Sequence, residues 1–195
     1  MNRIATLTAL AVLCAGACLG QEVPQAGSHE MGLWAGGGHS APGGTKDTGI
    51  FDIGARYGWV LTNPHGPGFL KGSFEYAVDA IPMYLVMNHG TTYGGGFNPL
   101  VLKWNFGESK RAAPFVELAG GTLFSTSEVP RFTSAVNFRS GAALGVQIFG
   151  RRVNGVVAVR YEHISNAGLA SPNPGINTVQ VQVGINHFST PRRRH

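Results

Sequence analysis

Residues 156–188 read "VVAVRYEHISNAGLASPNPGINTVQVQVGINHF". Two runs of apolar alternation flank a loop of Gly, Asn and Pro. In the first run Val157, Val159 and Tyr161 share one phase, while Arg160 and Glu162 take the other. In the second, Val179, Val181, Val183 and Ile185 keep step in the same way. A period of two is the signature of strands with unlike faces. His163 and Ser165 continue the phase of the valines, so a row that should meet something apolar ends in an imidazole and a hydroxyl.

The rest of the chain repeats this pattern without repeating the sequence. Eight stretches have strand character, at about 30–41, 50–62, 69–87, 97–106, 112–124, 132–149, 153–165 and 177–188. Turn chemistry such as "NPHGPG", "HGTTYGGG" and "SPNPG" separates them. Phe51, Ile53, Ala55, Tyr57 and Trp59 oppose Asp52 and Arg56. Leu100, Leu102, Trp104 and Phe106 oppose Lys103 and Asn105. Val136, Phe138, Leu144, Val146 and Ile148 oppose Asn137, Arg139 and Gln147. Asp52, Arg56, Glu75, Asp79, Lys103, Glu117, Arg139, Arg160 and Glu162 all fall opposite the apolar phase. The list mixes both signs, and ion pairing with Arg56, Arg139 or Arg160 is the role expected of Glu75 and Glu117.

Two folds share such a pattern. A soluble sandwich would turn the charges to water. A small membrane barrel would turn them inward to pair and give the apolar face to lipid. Three features favour the barrel. The N-terminus, with Arg3 followed by "IATLTALAVLCAGACLG", reads as an export signal over 1–20. The strand number is eight and even. Aromatic residues, namely Trp34, Tyr57, Trp59, Trp104 and Tyr161, are assigned to the apolar phase. The expected fold is therefore all-β: an eight-stranded antiparallel transmembrane β-barrel after an N-terminal signal peptide. A polar leader occupies 21–29, the barrel 30–188 and a basic tail 189–195. Closure satisfies the backbone within a bilayer without any helix.

Composition narrows the chemistry. Cys14 and Cys18 are the only cysteines and lie inside the signal, so neither a disulfide framework nor a cysteine zinc site is available. His29, His39, His65, His89 and His187 lack ligand-like spacing, so no metal is expected. "GGGHS" at 36–40 and "YGGG" at 93–96 lack a phosphate-loop lysine and read as flexible segments. The net charge of +5 owes part of its size to "PRRRH" at 191–195. That tail suits an anionic surface or solvent, and nucleic acid is not an expected partner.

If both chain ends are periplasmic, the outer connections lie near 42–49, 88–96, 125–131 and 166–176. The inner ones lie near 63–68, 107–111 and 150–152. The seventh strand then runs outward and carries His163 and Ser165 to the height of the outer-leaflet head groups. Polar groups facing lipid need a partner. Two residues apart on one strand face, their Cα atoms lie about 6.5–7 Å apart. The imidazole could take the hydroxyl proton as Ser165 attacks an ester. Asn166 and the Gly168 amide lie just beyond, where oxyanion donors are useful. By spacing alone, a His-x-Ser at a strand end is more often a turn or interface residue.

"HISNAGLASPNPGIN" at 163–177 resembles the signature of the PagL-type lipid A 3-O-deacylases. The resemblance implies an eight-stranded outer-membrane barrel, located in the cell outer membrane of a Gram-negative bacterium. It implies hydrolysis of the acyl ester at the 3 position of lipid A, with no cofactor. Ser165 would be the nucleophile and His163 the general base, with Asn166 and Gly168 at the oxyanion. The expected partners are lipid A or lipopolysaccharide in the outer leaflet, with a homodimer as an allowed assembly. The family's third catalytic member is a glutamate, and the matching position here is Asn177. Asparagine can orient an imidazole but cannot neutralise an imidazolium. Either this branch works with asparagine, or another acid substitutes, or activity is weak or lost. Glu162 is a poor substitute, because its parity points it into the lumen. The alternative function is a non-catalytic barrel serving structure, adhesion or surface binding.

Overall fold

A computed structural model describes residues 24–107 and 111–189. The export signal at 1–20, the "ESK" of the inner turn at 107–111 and the arginines of the tail lie outside the described residues. Eight strands follow in order: β1 (His29–Ser40), β2 (Gly49–Val60), β3 (Gly72–Met87), β4 (Thr91–Phe106), β5 (Ala112–Ser125), β6 (Val136–Ile148), β7 (Asn154–Ser165) and β8 (Ile176–Phe188). Each pairs antiparallel with its neighbour, and β8 returns to β1, so the barrel closes. Closure rules out the open sandwich and leaves no sheet edge unpaired.

The alternation sorts the side chains as a transmembrane barrel requires. Val157, Val159, Val179, Val181, Val183 and Ile185 are exposed on the outer wall. Asp52, Glu75, Lys103, Arg139, Arg160 and Glu162 are buried inside it. Two ionic clusters fill the lumen. Toward the rim where both chain ends lie, here called the inner end, Lys103 Nζ lies 2.8 Å from Glu30 and 3.5 Å from Glu75, while Arg56 joins Asp79 and Glu117. Toward the outer end, Arg139 and Arg160 both reach Asp52 and Glu162, and Tyr84 donates to Glu162. Glu117 thus pairs with an arginine as expected, whereas the cation beside Glu75 is Lys103. Buried charge at this density is tolerated only when paired. Apolar plugs close both ends: Val60, Ala113, Phe149 and Phe188 inside, and Ile50, Val86, Leu123, Val129, Ile164 and Ile176 outside.

The structure differs from the sequence reading at several elements. Trp34, expected on the lipid phase, points inward and is only 6% exposed. Its partners in register are Gly54 and Gly184, whose missing side chains leave room for the indole, and the Arg160 guanidinium sits over the ring at 4.8 Å. The "YGGG" at 93–96 is not a loop but part of β4, which begins six residues earlier than expected. A Cβ at Gly94 would stand 2.7 Å from the Phe124 carbonyl, so glycine there serves close strand approach. Residues 68–70 form a 3-10 turn rather than the start of β3, and β6 starts at Val136 rather than 132. At the inner end Tyr57, Trp59 and Tyr76 pack edge-on and stacked in series, as in an interfacial aromatic girdle.

Candidate active site

β7 runs to the outer rim and ends at Ser165, and β8 leaves the same rim at Ile176. His163 lies in register between Ser140 of β6 and Asn177 of β8. Its ring and the Ser165 side chain are half-buried on the outer wall, in line with exposed Tyr161 and Val159. The imidazole and hydroxyl therefore face away from the lumen. Glu162 faces into it, bound to Arg139 and Tyr84, and has no route to the ring.

His163 Nδ1 and Asn177 Oδ1 are 2.6 Å apart. Asn177 is 7% exposed, and its Nδ2 donates to the Pro42 carbonyl at 3.1 Å. Gly175 makes this meeting possible. It has φ of +65°, and a Cβ there would stand 2.9 Å from His163 Cε1. The glycine thus lets the ring lie against the backbone entering β8. Ser165 is the looser member. Among the described residues no hydrogen bond joins its hydroxyl to the ring, and the hydroxyl has no other partner. Catalytic hydrogen bonds are often long before substrate binds.

The loop over 166–175 is tied together by Asn166. Its Oδ1 accepts from Gly168 N at 2.9 Å, and its Nδ2 donates to the Ala170 carbonyl at 3.1 Å. Its backbone N donates to Asn173 Oδ1 at 3.1 Å, and its carbonyl accepts from Leu169 N. A buried asparagine needs such satisfaction. It also means that the donors expected to serve an oxyanion, on Asn166 and Gly168, are engaged inside the loop. Ala167 N–H, beside them, donates to no described residue. Ala167 has φ of +52°, an uncommon conformation for a residue with a Cβ.

Below the histidine the outer wall is hollowed. Ser140 and Gly120 stand in the same row as His163, and Ala142 stands in the next row beside Tyr161. Of these, Ala142 and Tyr161 line an apolar groove of about 760 Å³, together with Leu102, Trp104, Leu118 and Leu144 among others. Trp104, Tyr161, Leu102 and Leu144 carry the lipid phase that the alternation singled out. Sequence reasoning did not find the groove, since its lining is gathered from five strands, β3 to β7. It also missed the β1–β2 loop, which reaches the site through a backbone carbonyl. No group of three or more His, Cys, Asp or Glu suited to a metal occurs among the described residues.

Comparison with known proteins agrees with this fold. The family model described as "Lipid A 3-O-deacylase (PagL)" matches residues 51–186. The lipid A deacylase PagL of Bordetella bronchiseptica is 29% identical over 133 residues, covering 67% of this chain and 57% of that protein. The chain thus aligns with little more than half the length of that relative. Among solved structures, the outer membrane enzyme PagL superposes with a TM-score of 0.58 at 21% identity, over 78% of this chain and 97% of that one. The N-terminal β-barrel domain of Pseudomonas aeruginosa OprF gives 0.50 at 14% identity, over 85% and 99%, a likeness of fold alone. With a family match spanning seven of the eight strands and the whole of the His163–Asn177 segment, the chain belongs to the lipid A 3-O-deacylase (PagL) family.

Proposed function

We propose that the protein is an outer-membrane serine esterase that removes the acyl chain esterified at the 3 position of lipid A. The observation that carries this reading is the His163–Asn177 hydrogen bond on the outer wall. It orients an imidazole beside a serine, on a surface that only a lipid can present with an ester. The apolar groove below is the natural bed for the acyl chain. Its volume falls in the range of about 300–1,000 Å³ typical of ligand sites.

In this reading Ser165 Oγ attacks the ester carbonyl as His163 Nε2 takes the hydroxyl proton. Collapse of the tetrahedral intermediate breaks the bond to the sugar oxygen, which leaves with the proton from the imidazolium. Water, deprotonated by the same nitrogen, then frees the fatty acid from Ser165. The developing oxyanion takes the open Ala167 N–H. The Gly168 and Asn166 donors join once their bonds within the loop exchange for it. Substrate and enzyme meet in the outer leaflet, with no nucleic acid or cofactor in the scheme. Nothing in the scheme needs a second copy of the chain.

The test is mass spectrometry of lipid A from cells carrying the native chain or its Ser165→Ala form. Loss of one 3-hydroxyacyl chain with the native protein alone is the expected result. Identical lipid A in both would favour the second reading, a barrel without catalysis. The missing Ser165–His163 hydrogen bond is the feature that favours it.

A further inference from the structure

We propose that the β1–β2 loop is a working part of the esterase site. Its Pro42 carbonyl fixes the Asn177 amide, and through it the tautomer of His163, so that a neutral amide can serve where a carboxylate would otherwise stand. The inference rests on the esterase reading for its consequence, but its geometry stands alone.

The two ends of an asparagine amide have nearly the same shape, and hydrogen-bonding partners decide which way it points. Asn177 has two partners. One is an imidazole nitrogen, which donates or accepts according to tautomer. The other is the Pro42 carbonyl, which carries lone pairs only. At 3.1 Å from that oxygen the amide must present its N–H₂ group. Turned over, Oδ1 would meet a carbonyl oxygen, and two acceptors would face each other with no proton between them. Asn177 Oδ1 therefore faces His163 Nδ1, and Nδ1 must carry the proton. The lone pair is left on Nε2, as a general base for Ser165 requires.

This bears on how much an asparagine should cost. In a Ser-His-Asp protease, replacing the aspartate by asparagine lowers turnover by ~10⁴ because the histidine adopts the wrong tautomer. That loss needs an amide free to turn its N–H₂ group toward the ring. Here the turn is blocked from 135 residues away in sequence. The loop is held for the purpose. Ala41 N donates to the Asn177 carbonyl at 2.7 Å, and Thr45 N to the Gly175 carbonyl at 2.9 Å. Gly43 has φ of +98°, and a Cβ on it would lie 2.9 Å from Asn177 Nδ2. A Cβ on Gly44 would lie 3.0 Å from the Gly175 carbonyl. The "PGG" of this loop, at 42–44, is thus the close-fitting cover of the amide. Pro42 and Asn177 act as positioning residues: neither needs to touch the ester.

The experiment uses the full chain in detergent micelles with ¹⁵N-labelled histidine, at mildly alkaline pH, and lipid A as substrate. His163 is assigned by its loss in His163→Gln. The native spectrum should show His163 as the Nδ1–H tautomer. Gly43→Ala, which presses on the amide, should admit the Nε2–H form and lower kcat by about ten-fold with KM little changed. Asn177→Asp, of the same shape, sets a carboxylate oxygen against the Pro42 carbonyl and should also lower kcat rather than raise it. An Nε2–H tautomer in the native protein overturns the proposal. So does a rise in kcat for Asn177→Asp, or a Gly43→Ala protein with native tautomer and turnover. Heat-modifiable gel mobility shows whether each variant has folded, and the native tautomer decides without any of them. Failure of the native chain to cleave lipid A would count against the esterase reading, while the spectrum still decides the amide's orientation.

Discussion

The lumen and the outer rim of β7 and β8 both set polar side chains in apolar surroundings, and they treat them in opposite ways. Inside the barrel every charged side chain has a partner of opposite sign within 4.0 Å, as Lys103 has in Glu30 and Glu75, and Asp52 in Arg139 and Arg160. On the rim, His163 is half satisfied by Asn177, and the Ser165 hydroxyl has no partner among the described residues. The lumenal charges pair with one another, although single atoms such as Asp52 Oδ1 and Arg139 Nε have no hydrogen-bond partner among the described residues. The rim groups are left asking for something the chain does not supply. A polar group kept unmatched on a lipid-facing wall calls for a partner from outside the chain, whereas the ion pairs of the lumen are complete without one.

The largest expected effect separates the two regions outright. Ser165→Ala should lower lipid A hydrolysis by at least about 10⁴-fold, while changing unfolding in urea by no more than about 0.5 kcal/mol. Loss of the fold in this variant would break the comparison, since the hydroxyl would then be structural. Next comes the reverse experiment. Lys103→Ala leaves Glu30 and Glu75 buried without their cation and should cost about 3–5 kcal/mol of stability. The measurement is urea unfolding in lipid vesicles. Turnover of the molecules that remain folded should stay near native. The smallest effect sharpens the picture of the rim. Ala142→Phe fills the groove beside Tyr161 and should lower kcat/KM for long-chain esters about ten-fold, with a smaller loss on a short-chain ester. Equal loss on both would place the acyl chain elsewhere.

Much of this is legible in the sequence where side chains carry the signal. The valine rows of β7 and β8 and the opposing Arg160, Glu162 and Lys103 announce a sheet with one charged face. "HISNAGLASPNPGIN" announces the loop that joins histidine to asparagine. Trp34 misleads because Leu33 and Trp34 are adjacent apolar residues, and only the glycines facing it across two strands decide its direction. The start of β4 is hidden because glycine reads as a loop former until a close neighbour explains it. Asn166 draws notice for its chemistry, while the structure shows how many loop bonds it holds. The β1–β2 loop leaves no trace, since it contributes a backbone carbonyl, which any residue could offer.

The central claim is that the outer wall carrying His163 and Ser165 lies against hydrocarbon near the outer surface. The direct measurement is a nitroxide scan of residues 162–165, each replaced by a labelled cysteine in the full chain in lipid vesicles, read by collision with oxygen and with a water-soluble nickel complex. The account predicts high oxygen accessibility at 163 and 165, with little of either quencher at 162 and 164. Shielded probes at 163 and 165, with 162 and 164 open to either quencher, would put the imidazole and hydroxyl inside the barrel and contradict it.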